Sequence, residues 1–156
     1  MIRYEIPGQQ AIEIHYLTID YNGTLAADGQ LIEGVENLLI ELSKVVKVYI
    51  LTADTYGSVK RECQHLPVEI ATFPEGKASD AKKSLVESLG PDQCACLGNG
   101  HNDVDMMRIS ALAVAVIDEE GSCSRCLQVA DIVARSAQSA LGIFLNPNRV
   151  KATLRH

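Results

Sequence analysis

The sequence contains no tryptophan, and phenylalanine and tyrosine together make up only 4% of it. A core without large rings has to be filled by Val, Ile, Leu and Ala. That composition suits helices laid on a parallel sheet, whose buried strands are rich in aliphatic residues. Long apolar runs are also missing, and none approaches the length of a membrane span. The opening segment, Met1-Ile-Arg-Tyr-Glu-Ile-Pro-Gly8, lacks the apolar stretch of a signal peptide. These absences predict a soluble, cytoplasmic protein with no membrane partner, and they exclude an ion pump.

Basic density is low as well. The net charge is −6, and Arg149, Lys151 and Arg155 near the end of the chain read as a solvated helix face. Nucleic acid selects basic stripes, so no nucleic-acid partner is expected. The five cysteines are Cys63, Cys94, Cys96, Cys123 and Cys126. An odd number without a signal peptide argues against a disulfide framework. Cys94 and Cys96 lie in an apolar run and read as small buried residues. Cys123 and Cys126 have CxxC spacing, but no second pair of ligands has zinc-site spacing.

What is present is an ordinary globular balance, 47% hydrophobic and 22% charged over 156 residues. It predicts one domain over residues 1–156. Residues 2–6 and 11–19 read as strands around the turn at Pro7-Gly8, an N-terminal β-hairpin. Helical spacing marks 33–44, 54–65 (capped by Asp54 or Thr55), 77–89 and 103–109. It marks 121–129, 136–145 and 148–155 too, the last two split by Asn146-Pro147. Apolar strands are expected at 45–51, 68–72, 94–97, 112–117 and 131–134. From residue 11 onward, strands alternate with helices. That pattern is an α/β fold, a three-layer, doubly wound, Rossmann-like parallel sheet with helices on both faces. Ligands of such sheets sit beyond the C-terminal strand ends, where the strand order reverses.

Three of those strand ends carry polar residues. The strand at 11–19 runs into Asp20-Tyr-Asn-Gly-Thr-Leu25, and the strand at 45–51 into Thr52-Ala53-Asp54. The strand at 94–97 runs into Gly98-Asn-Gly-His-Asn-Asp-Val-Asp-Met106, and the preceding helix carries Lys82 and Lys83. A carboxylate on a rigid strand end can attack phosphorus and carry the phosphoryl group. Its charge repels phosphoryl oxygens, so a divalent cation is needed. Mg²⁺, which prefers oxygen ligands, fits. Asp20 and Asp103 supply negative charge and Asn99 an amide oxygen. A Thr hydroxyl and a Lys ammonium can bind the phosphoryl oxygens as charge develops. Gly23 and Gly100 let backbone N–H groups approach an anion. Each piece alone has a plainer reading. Asn22-Gly23 is a hairpin signal, Asn102 or Asp103 a helix cap, Thr52 a cap, and Lys82-Lys83 a solvated face. His101 reads as a loop residue, and His15 and His65 as chemically idle. Their order, each piece beside a strand of one sheet, favours the joint reading.

That order resembles the haloacid dehalogenase (HAD) superfamily of phosphatases and phosphotransferases. Within it, the chain looks most like the soluble proteins related to the phosphorylation domain of P-type ATPases. The resemblance runs from about residue 11 to the end. It implies that Asp20 is nucleophile and metal ligand and that Asn22 stands where the family has its acid/base Asp. Thr52 matches the second motif. Lys82, seven residues before Leu89, matches the third, with Lys83 as fallback. Asn99 stands where a metal-binding Asp is usual, and Asp103 matches the later Asp. The implied catalytic set is Asp20, Asn22, Thr52 and Lys82. The substrate-binding set is Gly23, Thr52, Ala53, Lys82 and Asn102. The metal set is Asp20, Asn22, Asn99 and Asp103, for Mg²⁺.

Two departures bear on activity. Asn22 cannot transfer a proton, a contribution typically worth ~10²–10⁴-fold, so hydrolysis should be slow. Asn99 is neutral, so Mg²⁺ should bind more weakly. The gaps at 26–30 and 73–76 are too short for a cap domain. An open crevice implies a large phosphorylated substrate, or cover from another subunit in a homo-oligomer. The expected function is Mg-dependent phosphotransfer through an aspartyl phosphate, on a small molecule or macromolecule. The alternative is a non-catalytic module that binds phosphate or a partner.

Overall fold

The computed structural model describes residues 1–53 and 57–156. A hairpin opens the chain, β1 (Ile2–Tyr4) pairing antiparallel with β2 (Ile12–Ile14). The central sheet is built from β3 (Tyr16–Asp20), β6 (Lys47–Thr52), β7 (Glu69–Thr72), β8 (Cys94–Gly98), β9 (Leu112–Val116) and β10 (Ile132–Ala134). All six are parallel, in the order β10-β9-β8-β3-β6-β7. From β3 the chain winds outward through β6 and β7, then returns to β8 on the other side and winds outward again. The reversal between β3 and β8 is the switch point at which such sheets bind ligands.

Between β3 and β6 lie a two-residue ladder, β4 (Ala26–Ala27) with β5 (Gln30–Leu31), and helix α1 (Val35–Ser43). The turn joining β4 to β5 has positive φ at both Asp28 and Gly29, as a tight two-residue hairpin demands. The remaining helices are α2 (Ser58–Cys63), α3 (Ala78–Leu89), α4 (Val104–Ile109), α5 (Ser124–Val129), α6 (Ala137–Phe144) and α7 (Pro147–Leu154). The described residues form no cap domain. The strap at 26–31 and the segment at 73–77 are the short connections at the two places where a cap would be inserted.

Strand side chains alternate between two buried layers. Leu17, Ile19, Val48, Ile50, Ala95, Leu97, Leu112 and Val114 join one core with α1, α2, α6 and α7. Leu51, Cys94, Cys96, Ala113 and Ala115 join the other, under α3, α4 and α5. Burial on both faces is why these strands read as continuous apolar runs. The second layer is lined largely by Cys and Ala. The scarce aromatics are spent where volume is needed: Tyr4, Tyr21 and Phe144 are among the largest fully buried side chains.

The expected strand at 11–19 is two strands. His15 breaks it, its N–H bonding to Gln93 O at 2.9 Å and its carbonyl accepting from Lys47 N at 2.9 Å. The chain leaves the hairpin there and enters the main sheet, while the apolar alternation runs on without a mark. The first strand stops at Tyr4 because Ile6 O is taken by the turn N–H of Gln9 at 3.1 Å. Val45 and Val46 close α1 by bonding to Leu42 O, so β6 begins two residues later than the apolar run. The proposed caps Asp54 and Thr55 lie outside the described residues.

Tyr4 Oη donates to the Phe144 carbonyl at 2.9 Å, with both residues buried. This bond ties the hairpin to α6. Tyr4→Phe should lower stability by about 1 kcal/mol, read as a lower urea midpoint at unchanged slope. An unchanged midpoint would mean that the hairpin is not held by this bond.

Candidate active site

The end of β3 carries Asp20 into the switch-point crevice. Tyr21 O accepts from the N–H groups of Thr24, Leu25 and Ala26, and Gly23 N donates to Ala26 O at 2.8 Å. The chain therefore curls back at once, and the loop is compact. Gly23 has φ +77°, and a Cβ there would lie 2.4 Å from Asn99 Nδ2. Only glycine fits this loop against the loop after β8. Across β3, the register Asp20↔Leu51 sets Thr52 just beyond Asp20 on the next strand. On the other side Ile19 pairs with Leu97, which brings Gly98 and Asn99 level with Asp20.

Of the two lysines on α3, Lys82 enters the crevice and Lys83 faces solvent, 3.7 Å from Glu87. Lys82 Nζ donates to Asp20 Oδ1 at 2.6 Å, to Asp103 Oδ1 at 2.7 Å and to Asn102 Oδ1 at 3.2 Å. The Lys82 side chain is 1% exposed, Asp103 0% and Asp20 10%. Asp103 Oδ2 also accepts the backbone N–H of Asn99 at 3.0 Å and of Gly100 at 2.9 Å. Thr24 Oγ1 lies 3.2 Å from both Asp20 Oδ2 and Asn99 Oδ1. Asn99 Nδ2 donates to Gly121 O at 3.0 Å.

These groups surround a cavity of about 210 Å³ lined by Asp20, Asn22, Thr52, Ala53, Lys82, Asn99 and Asn102, with Phe73 and Gly100. Larger hollows, of about 590 and 810 Å³, lie at the opposite ends of the strands around His15. The buried charges are not there, so the smaller cavity is the chemically equipped one. Gly23 and Asp103 lie behind its wall, Gly23 against Asn99 and Asp103 against Lys82. His101 faces away, its Nδ1 4.0 Å from Cys123 Sγ. Cys126 Sγ donates to Gly100 O at 2.8 Å, and burial pushes that thiol up to about 12, so it is the S–H form that donates.

Sequence reasoning missed Thr24, which sits in the quoted motif and bridges the two loops. It missed Gly98, where a Cβ would lie 2.5 Å from the Asp103 carboxylate. Position beside the motif was the available signal for both. Phe73 had none, because the end of β7 reaches the cavity only through the strand order.

The lining residues able to offer a cation an oxygen are Asp20, Asn22, Thr52, Asn99 and Asn102, and none is His or Cys. Oxygen-only donors suit a hard divalent cation. Among the described residues no three His, Cys, Asp or Glu side chains form a metal-holding group. Any cation here is therefore held by few carboxylates, with amide, backbone or water oxygens completing its shell. That is the habit of Mg²⁺ and disfavours zinc.

The protein from Moraxella catarrhalis described as 3-deoxy-D-manno-octulosonate 8-phosphate phosphatase, solved with a magnesium ion, a phosphate ion and KDO, superposes with a TM-score of 0.67. Identity is 18%, over 90% of this chain and 89% of that one. The chain shares the fold of a putative HAD family hydrolase from Streptomyces avermitilis, with a TM-score of 0.67 at 19% identity over 92% of this chain and 85% of that one. No family model matches this chain. This HAD-fold chain is also 34% identical to the uncharacterized protein MJ0073 of Methanocaldococcus jannaschii, over 51% of this chain and 90% of that one. The two belong to one family. The soluble P-type ATPase-like phosphatase of the same organism is 30% identical over 70% of the chain, which spans 41% of that phosphatase's length. Among the described residues no helix is long and apolar enough to cross a membrane.

Burial, then the nearby Asp103 carboxylate, push the Asp20 carboxyl up to about 7, against the opposing pull of Lys82 and Thr24. Burial alone would lower the Lys82 ammonium, but Asp20 and Asp103 outweigh it, and Lys82 is raised and stays charged. An unfolded Asp loses its proton near pH ~3.9. The folded chain therefore holds a proton that the unfolded chain has released. The stability this supplies is full below about pH 4 and is lost as pH rises through about 7, on the order of 4 kcal/mol. In EDTA, wild type should melt lower at pH 8 than at pH 5.5. Asp20→Asn, which keeps the shape without the charge, should show a much smaller gap. Equal pH dependence in the two proteins, by calorimetry, would rule out Asp20 as the source.

Proposed function

We propose that the chain is a Mg²⁺-dependent phosphatase or phosphotransferase that carries the phosphoryl group on Asp20. The observation that supports it most is the buried Lys82 ammonium held between Asp20 and Asp103 at the switch point. The phosphatase descriptions of its fold neighbour and of its curated relative support it further.

Asp20 acts as the nucleophile. A carboxylate oxygen attacks phosphorus, the bond to the leaving oxygen breaks, and the phosphoryl group stays on Asp20. Thr52, Ala53 and Asn102 bound the space for its oxygens, with Gly23 behind them against Asn99, and Lys82 neutralises charge there. Asp20, Asn22 and Asn99 are the residues to hold the cation, Asp103 standing behind the cavity wall with its oxygens already taken. A bound Mg²⁺ would supply the positive charge that lets a carboxylate approach a phosphate ester. Asp103, already accepting from Lys82 and two backbone N–H groups, fixes the lysine and the loop after β8. The leaving oxygen takes its proton from water, since Asn22 has none to give. Water then attacks phosphorus and breaks the link to Asp20, again without a side-chain base. Turnover is slow for that reason. The open, capless crevice suits a large phosphorylated substrate or cover from a second copy of the chain.

A second reading, phosphate or partner binding without turnover, is favoured by one observation. The Asn99 amide accepts from Thr24 and donates to Gly121 O. An Asp could not make the second bond, so the loop is fitted to the amide.

With p-nitrophenyl phosphate, release of p-nitrophenol should require Mg²⁺ and disappear in EDTA. Asp20→Asn should abolish it, and Asn22→Asp should raise the rate by about 10²-fold. Cleavage by Asp20→Asn at the wild-type rate would remove Asp20 as nucleophile. Calorimetric binding of Mg²⁺ or phosphate with no turnover, even in Asn22→Asp, would favour the second reading.

A further inference from the structure

The segment that leads into α5 is bonded to the loop carrying Asn99 and Gly100. Cys123 N donates to Asn99 O at 2.7 Å, Ser122 Oγ lies 3.2 Å from the same oxygen, and Cys126 Sγ donates to Gly100 O at 2.8 Å. Two of those three bonds come from the CxxC pair, for which the proposed chemistry has no use.

Cys126 N donates to Cys123 O at 2.9 Å. Cys123 caps α5 and Cys126 lies in its first turn, where Cα atoms three residues apart are about 5 Å from one another, within the span of a disulfide. Cys123 is partly exposed, whereas Cys126, Cys63, Cys94 and Cys96 are fully buried. One sulfur is thus open to a reagent, and a second stands behind it to resolve what forms. A disulfide with one sulfur open to solvent is of the labile, exchangeable kind.

We propose that Cys123 and Cys126 are a reversible dithiol–disulfide pair whose oxidation loosens the loop after β8. The oxidant is a low-molecular-weight disulfide. The Cys123 thiol gives its proton to solvent, and its sulfur attacks one sulfur of the reagent. The reagent's S–S bond breaks, one half leaves as a thiolate, and a mixed disulfide forms on Cys123. The Cys126 thiol then passes its proton to the second half of the reagent as its sulfur attacks the Cys123 sulfur. The S–S bond between Cys123 and the reagent breaks, that half leaves as a thiol, and the first half takes up a proton from solvent. Two protein thiols are oxidised and one disulfide is reduced to two thiols. The oxidised Cys126 sulfur has no hydrogen to give. Among the described residues Gly100 O keeps the Asp103 N–H, 3.0 Å away, and the loop that presents Asn99 to the cavity loses a tie.

The test uses the whole folded chain with oxidised glutathione and reads neither phosphate nor turnover, so it stands apart from the fate of the proposed activity. Intact mass should fall by about 2 Da, and peptide mapping should join Cys123 to Cys126. Dithiothreitol should restore the mass. Cys126→Ser, whose hydroxyl can still donate to Gly100 O, should instead retain one glutathione on Cys123. Cys123→Ser should take none. In the oxidised protein the amides of Asn99, Gly100 and Asp103 should exchange about fivefold to tenfold faster. No mass loss, a link through another cysteine, or unchanged exchange in this loop would each overturn the proposal.

Discussion

The site is organised by one buried ammonium. Lys82 lies between Asp20 and Asp103, closer than 3 Å to each. Two carboxylates so near one another would repel strongly in a low-dielectric crevice. A single cation between them makes the cluster tolerable without making it neutral. Breaking such a set by removing one partner typically costs about 3–5 kcal/mol, because the others are left buried and uncompensated. The Asp20 carboxyl is raised first by burial and then by the residual negative charge. That charge is also what would attract a divalent cation, and on the proposed reading the cation then permits a phosphate ester to approach.

The rest of the fold serves this arrangement. Parallel strands in register bring the ends of β3, β6 and β8 level. The helix before β8 carries Lys82 back over them. Gly23 and Gly98 remove the side chains that would collide with Asn99 and Asp103. Thr24 ties the two loops together. None of these positions works alone. Each corrects the placement of a charge made elsewhere in the chain.

Much of this was legible in the sequence, because burial on both faces writes strands as apolar runs and polar residues at their ends stand out. Asp20, Thr52 and Asn99 could be picked on that basis, and the structure brings them to one cavity with Lys82. Boundaries were less legible where hydrogen bonding rather than hydrophobicity decides them. The break at His15 is invisible in the alternation, and Val45 is apolar but lies in the turn that follows α1. The choice of Lys82 over Lys83 came from the family spacing. In the structure the helical face makes it, sending neighbours about 100° apart around the axis. Phe73 and Gly121 could not be foreseen, since their nearness to the site follows from strand order and loop path. The CxxC pair was visible, but its bonding to the loop after β8 was not.

The decisive measurement is a crystal structure of the chain with Mg²⁺ and beryllofluoride, a mimic that carboxylates bind as they would a phosphoryl group. The account predicts a beryllium–oxygen bond at Asp20, with Lys82 reaching a fluorine while keeping Asp103. Beryllofluoride found on another side chain, or absent with Mg²⁺ bound, would contradict it.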